Sequence, residues 1–140
     1  MAYKSFKGKW QVGGDKPVIS ILSTGLICFN KACYETFVKP AGYTHMKLYY
    51  DAETKTMVFE PLHRKIGEVI YPIRVTKTGL LAVVKAKPFL EHFGIKYQGQ
   101  SRSYPAYETI VPGSYPGYQR TRMKPNGIEI RLEEYIRDNS

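Results

Sequence analysis

The chain has 140 residues, which is the size of one domain. Its 43% hydrophobic and 24% charged residues exclude disorder along the whole length, and no stretch approaches the ~18 apolar residues of a membrane span. The excess of 21 Lys and Arg over 12 Asp and Glu gives a net charge of +9 and a pI of about 9.5. Such a balance is typical of nucleic-acid binders and carries no information on the fold.

The cysteine content indicates a reducing compartment. Two cysteines, Cys28 and Cys33, do not make the disulfide framework of a secreted protein. Residues 1–16 contain no apolar run of the kind found in a signal peptide. We therefore expect a cytoplasmic protein that does not bind a membrane.

The first segment is predicted to be a basic aromatic arm over residues 1–16, and Gly13 and Gly14 separate it from the first hairpin. It interleaves aromatic side chains with lysines, a composition that suits either stacking on bases or docking on a protein: Tyr3, Phe6 and Trp10 with Lys4, Lys7 and Lys9. The alternative is that Phe6 and Trp10 pack on the core.

Residues 17–95 predict two copies of a hairpin followed by a short helix. The first hairpin comprises residues 18–22 and 26–29 around a Ser-Thr-Gly turn, and Asn30 is a suitable N-cap for a helix over 31–38. The second comprises residues 69–75 and 80–84, followed by a helix over 86–94.

A strand pair lies between these two copies. Residues 46–50 and 57–60 flank an Asp-led turn, and Pro61 is expected to end the second strand. The alternating aliphatic and aromatic positions predict the core: Ile19, Ile21, Ile27, Phe29, Leu48, Val58, Phe59, Ile73, Val75, Leu81 and Val83.

The two hairpin-helix units align at an offset of 54 residues, which predicts an internal duplication. Residues 24–27 (TGLI) align with residues 78–81 (TGLL), and Ile19 and Ile21 align with Ile73 and Val75. One extra residue in the second helix then places Tyr34 opposite Phe89. Coincidence is the alternative, because hairpins of this composition are common.

Residues 96–140 are predicted to form a tyrosine- and proline-rich loop and a last strand over 127–132, packed on the preceding domain. The loop holds two similar segments, residues 103–107 (SYPAY) and 114–118 (SYPGY). Its aromatic and cationic side chains are candidates for stacking on bases or for a protein interface: Tyr104, Tyr107, Tyr115, Tyr118, Arg102, Arg120 and Arg122. Packing on a sheet face is the competing interpretation for each tyrosine.

The order of hairpin, short helix, strand, acidic turn and strand over residues 18–61 resembles the AbrB/SpoVT family of swapped-hairpin DNA-binding domains. The residues that carry this resemblance are 25–30 (GLICFN) and 48–51 (LYYD). Two linked copies also resemble the tandem arrangement of MraZ-type regulators. The resemblance covers about half the chain.

This resemblance implies a mainly β fold with two short α-helices, arranged as an AbrB-like double-hairpin barrel built from an internal duplication. It also implies DNA rather than RNA as the partner and the capacity to form homo-oligomers. The family's arginine after the turn glycine is replaced by Leu26 and Leu80, and Asn30 stands where proline is frequent. Phosphate contacts are therefore expected from other cations: Lys31, Lys47, Arg74, Lys77, Lys85 and Lys87.

No motif for catalysis, metal binding or a cofactor is present. The histidines are isolated, the two cysteines lack a second pair, and there is no Gly-x-Ser-x-Gly or phosphate-binding loop. We expect a non-enzymatic nucleic-acid-binding protein without a small-molecule substrate, with transcriptional regulation as its candidate role. A protein-interaction or self-assembly module is the second hypothesis, and an enzyme using Cys33 and a histidine is a distant third.

Overall fold

The chain folds mainly into β-structure with two short helical segments. A computed structural model describes residues 16–65, 67–77, 81–111 and 125–136. Within these ranges, ten strands form two five-stranded antiparallel sheets. The mainly β class with two short helices, predicted from the sequence, is confirmed.

Sheet 1 contains the first predicted hairpin, part of the second and one strand from the C-terminal third of the chain. Its strand order is β6-β7-β2-β1-β8. Its strands are β1 (Val18–Ile21), β2 (Leu26–Phe29), β6 (Arg74–Val75), β7 (Ala82–Lys85) and β8 (Arg102–Pro105). The prediction of a single strand over residues 69–75 is wrong, because Ile70–Pro72 pairs in the other sheet and only Arg74–Val75 pairs in this one.

Sheet 2 contains the central strand pair and the last strand. Its order is β5-β3-β4-β10-β9. Its strands are β3 (His45–Asp51), β4 (Thr56–Leu62), β5 (Ile70–Pro72), β9 (Tyr107–Thr109) and β10 (Gly127–Arg131). The last strand lies between β4 and β9, so the C-terminal third completes both sheets.

The helices follow the two hairpins, as predicted. Helix α1 (Lys31–Cys33) continues as a π-helical turn over Tyr34–Val38 and a 3₁₀ turn over Lys39–Ala41. Helix α2 comprises Lys87–His92, and the chain leaves it through Gly94, whose φ of +66° is the left-handed conformation expected after a helix end.

The chain passes directly between the sheets at both lateral edges. Only Ile73 separates β5 from β6, and only Ala106 separates β8 from β9. No strand ladder among the described residues joins the two sheets into a closed barrel.

The core fills the space between the sheets. Phe29 of sheet 1 and Phe59 of sheet 2 meet edge to face with ring centroids 5.4 Å apart. Inward-facing residues of both sheets surround this pair and are almost fully buried: Ile19, Ile21, Ile27, Met46, Leu48, Met57, Val84, Ile128 and Ile130.

The predicted core positions in the returning strand of the second hairpin are displaced by one residue, and Val75, another predicted core residue, is 45% exposed. Ala82 and Val84 are buried, whereas Leu81 and Val83 are only half-buried. The second turn is one residue longer: Thr76 N–H donates to the Leu81 carbonyl, whereas Leu22 N–H donates to the Leu26 carbonyl. A one-residue shift moves every side chain of a strand to the opposite face.

Two further predictions from the sequence are wrong. Residues 103–107 do not form a loop, because β8 and β9 pair with β1 and β10 there. Pro105 is tolerated because β8 lies at the edge of sheet 1. For its part, β4 does not end at Pro61 but continues to Leu62, with Pro61 opposite Met46.

The predicted N-cap, Asn30, is a buried connection between three segments. Its Oδ1 accepts hydrogen bonds from the backbone N–H groups of Cys33, at 2.9 Å, and of Val18, at 3.0 Å. Its Nδ2 donates to the carbonyl of Lys16 at 2.8 Å. One side chain thus joins the start of β1 to the end of β2 and the first turn of α1.

We expect Asn30→Ala to lower the free energy of unfolding by about 2–4 kcal/mol, because it removes a helix cap and leaves buried backbone groups unpaired. Asn30→Asp retains the accepting oxygen and should cost less. Ser20→Ala is the control, because it removes a single hydrogen bond, the one to Ser103 at 2.7 Å. Urea unfolding checks this, and equal losses for Asn30→Ala and Ser20→Ala would contradict it.

Candidate nucleic-acid interface

Charge is divided between the two sheets. Every strand of sheet 1 lies in one of three segments without Asp or Glu, residues 16–34, 69–90 and 92–107. The same segments contain eight cationic residues: Lys16, Lys31, Arg74, Lys77, Lys85, Lys87, Lys96 and Arg102. The strands of sheet 2 contain two cations, Lys47 and Arg131, and four acidic residues: Asp51, Glu60, Glu108 and Glu129.

The outer face of sheet 1 carries a row of aligned side chains. Strand pairing places Arg74 beside Val83, Val83 beside Cys28, and Cys28 beside Ser20. Lys85 is the diagonal neighbour of Arg74 on the same face, which corresponds to a separation of roughly 7–8 Å between their backbones. Arg74 and Lys85 are both exposed.

Lys87 joins this surface where the second helix contacts the first hairpin. A Cβ atom on Gly25 would lie 2.9 Å from the Cβ of Lys87, and Gly25 has a φ of +89°. Only glycine permits both this turn and the close approach of α2. Lys77 is exposed two residues after the end of β6. We call Arg74, Lys77, Lys85 and Lys87 the basic face.

No ion pair among the described residues joins a cation of the basic face to a carboxylate. The ion pairs among the described residues all lie at sheet 2 or the segment directly after it, such as Arg131 with Glu129 at 2.9 Å. Because the lysines and Arg74 are exposed, their charges are accessible to an anionic partner.

Other predicted site residues lie elsewhere. Lys47 is on sheet 2, where its Nζ is 5.2 Å from the ring centre of Tyr49, and Tyr49 donates a 2.7 Å hydrogen bond to Glu60. Lys31 is exposed at the start of α1, just after β2.

The described part of the tyrosine-rich segment packs internally. Tyr104 is 3% exposed, and the guanidinium carbon of Arg102 lies 4.2 Å from the ring centre of Tyr135. Tyr107 is half-buried on sheet 2, with the guanidinium of Arg131 4.4 Å from its ring centre. Tyr104 is therefore packed in the interior, which was the competing interpretation, and its ring is not accessible for stacking on a base.

Ten of the predicted site residues lie outside the described residues. Six belong to the arm and four to the tyrosine-rich segment: Tyr3, Lys4, Phe6, Lys7, Lys9, Trp10, Tyr115, Tyr118, Arg120 and Arg122. Their roles stay predictions.

The sequence does contain a signal for this separation of charge, although inspecting one residue at a time does not detect it. The three acid-free segments are visible in the sequence, but only the strand pairing brings them together in one sheet. Net charge alone does not show which face is basic.

Comparisons with known proteins place few constraints on function. No family model, curated protein or solved structure matches the chain. Within the described ranges, no group of three or more His, Cys, Asp or Glu residues is placed to hold a metal ion. No helix in those ranges has the length and apolar character needed to cross a membrane.

The reactivity of Cys28 measures how accessible the outer face of sheet 1 is, because Cys28 lies two strands from Arg74 in the aligned row. Burial raises the pKa of the Cys28 thiol, so its alkylation rate should keep rising with pH above the ordinary midpoint of about 8.5. Cys33 is fully buried and should not react in the native state. Mass spectrometry after timed iodoacetamide treatment checks this, and faster labelling of Cys33 would contradict it.

Proposed function

We propose that this protein is a non-enzymatic nucleic-acid-binding protein, with transcriptional regulation as its candidate role, and that it contacts phosphates through the basic face. The observation that carries the proposal is a group of four exposed cations, two on sheet 1 and two directly after its strands, for which no ion pair exists among the described residues. Lys and Arg that neutralise phosphates release counterions, and this release drives binding that weakens as salt rises. Acidic residues on the same sheet would repel the phosphates, and sheet 1 has none.

Phosphate contacts position a protein on nucleic acid, but they do not by themselves recognise a base sequence. Arg74 is the described residue on this face with the planar donor geometry suited to a guanine edge. The lysines act as point charges toward the backbone. We favour duplex DNA over RNA on the basis of the AbrB-like pattern of hairpin, short helix and strand pair.

We also propose that the two hairpins of sheet 1 arose by duplication. The first strands are related by an offset of 54, since Ser20 pairs with Cys28 as Arg74 pairs with Val83. The second strands are related by an offset of 55, which makes Cys28 and Val83 equivalent, and these two residues pair with each other at the centre of the sheet. This approximate twofold arrangement supports the duplication and favours an extra residue in the turn rather than in the helix. It agrees with an AbrB-like pair of hairpins, although the two sheets do not close into a barrel through the described strands.

The double substitution Arg74→Gln/Lys85→Gln should weaken binding to a labelled DNA duplex and flatten its salt dependence. Each lost phosphate contact lowers the slope of log affinity against log salt by about 0.9. Fluorescence anisotropy across a salt series measures both quantities.

The matched control is Lys47→Gln/Lys55→Gln, which removes the same charge from sheet 2 and its turn. It should leave the slope unchanged, apart from a small general loss of attraction. Equal effects of the two double substitutions, or no binding of the wild-type protein at low salt, would contradict the proposal. The same titration with a single strand compares duplex docking with stacking on tyrosines.

A protein-interaction or self-assembly module is the second candidate function. The observation in its favour is that, within the described ranges, three large apolar side chains are more than two-fifths exposed, namely Val69 (44%), Val75 (45%) and Phe93 (42%). Val75 belongs to β6, an edge strand of sheet 1, and exposed strand edges can pair with another chain.

If the aromatic arm mediates self-assembly, light scattering should show an oligomer that persists in high salt. Replacement of Tyr3, Phe6 and Trp10 by alanine should dissolve it, because aromatic interface cores are insensitive to screening. A monomer at all salt concentrations would count against this function.

A further inference from the structure

The four strands β6, β7, β2 and β1 of sheet 1 are related by an approximate twofold axis. The axis passes between Cys28 and Val83, which pair with each other, and each of these also pairs with one residue of the next strand outward, Ser20 or Arg74. The hydrogen bonds that close the two turns obey the same relation. Each residue of the basic face therefore has an equivalent on the first hairpin or on α1.

The distribution of charge does not follow this symmetry. The four cations of the basic face correspond to four uncharged residues, which we call the neutral row: Ser20 for Arg74, Ser23 for Lys77, Asn30 for Lys85 and Ala32 for Lys87. Ser20 is 5% exposed and hydrogen-bonded to Ser103, and Asn30 is 1% exposed and hydrogen-bonded to three backbone groups. Neither side chain is accessible to a phosphate.

The basic face forms a line along the strand direction. Because β6 and β7 are antiparallel, Lys77, after the end of β6, and Lys87, after the end of β7, lie at opposite ends of this line, with Arg74 and Lys85 between them. Its length is at most about 23 Å, the span of seven extended residues, three from Lys77 to Arg74 and four from its partner Val83 to Lys87. A nucleic-acid strand carries one phosphate per ~3.4 Å of its axis, so the line matches roughly six phosphates of one backbone.

The neutral row lies on the other side of the axis, at a distance that matters for a duplex. Arg74 and Ser20 are three strands apart, which corresponds to about 14 Å at ~4.8 Å per strand. That separation is close to the ~12 Å width of the major groove. If both backbones beside a groove were contacted, both rows would need cations, and only one row has them.

Other cations of sheet 1 do not complete the neutral row. Lys16 and Lys31 are exposed, but both lie at one end of it, before β1 and after β2. Residues 17–30 contain no cation, so the middle and the other end of the row have no charge. Arg102 of β8 faces the inner side of the sheet, because it pairs with the buried Ile21, and its Nε is buried.

We propose that the basic face contacts a single phosphate backbone, so that a duplex is bound along one of its two strands and the bound site has no twofold symmetry. This inference rests on the proposed function and specifies its partner as one strand of phosphates. A single strand then makes as many phosphate contacts as a duplex does. Each contact contributes about 0.9 to the salt slope for a duplex and about 0.7 for a single strand, so four contacts predict slopes of about −3.6 and −2.8.

The test uses the full chain and two fluorescein-labelled probes, a mixed-sequence duplex of about 20 base pairs and a thymidine oligonucleotide of the same length, in anisotropy titrations across a salt series. We expect the duplex slope to exceed the single-strand slope by a factor of about 1.3, the ratio of counterion release per contact. Lys77→Gln/Lys87→Gln should reduce the duplex slope by about 1.8 and the single-strand slope by about 1.4.

The matched control is Lys16→Gln/Lys31→Gln, which removes the same charge from the other side of the axis. It should leave both slopes within about half a contact of wild type. A duplex slope about twice the single-strand slope or more, duplex binding without single-strand binding, or an equal loss with the control would overturn this inference and leave the proposed function in place. No wild-type binding at low salt, or no effect of Lys77→Gln/Lys87→Gln on either slope, would overturn both.

Discussion

The buried amide of Asn30 is the contact on which the arrangement of sheet 1 depends. Its three hydrogen bonds hold the residues before β1, the first residue of β1 and the start of α1 around one side chain. Because β1 and β2 are thereby fixed in register, β2 can pair with β7, and the second hairpin takes its place beside the first. The cations of the basic face belong to that second hairpin and its helix, so their positions follow from the same contact.

The sequence alone predicts the elements of the first hairpin, its helix and the central strand pair, because apolar alternation and turn residues are local signals. It does not predict the register of the second hairpin, since a turn longer by one residue exchanges Leu81 and Val83 for Ala82 and Val84 on the inner face. It also fails for residues 103–107, where tyrosine and proline suggest a loop. That segment forms strands because β1 and β10 offer edges with which it pairs.

The candidate site is predictable only in part, because it too depends on pairing between distant strands. The sequence identifies Arg74, Lys77, Lys85 and Lys87 as candidate cations, but it identifies Lys47 equally, and Lys47 lies on the opposite sheet. Only the strand order shows which of these cations share a sheet, and that order depends on contacts between residues more than fifty positions apart.

The central claim is that nucleic acid binds to the outer face of sheet 1. A titration of the ¹⁵N-labelled protein with a short duplex at low salt tests it most directly, residue by residue. We expect amide shifts to change in β6, β7 and the start of α2, around Arg74, Lys85 and Lys87, while β3 and β10 are unaffected. Changes confined to sheet 2, or no changes at all, would contradict the claim.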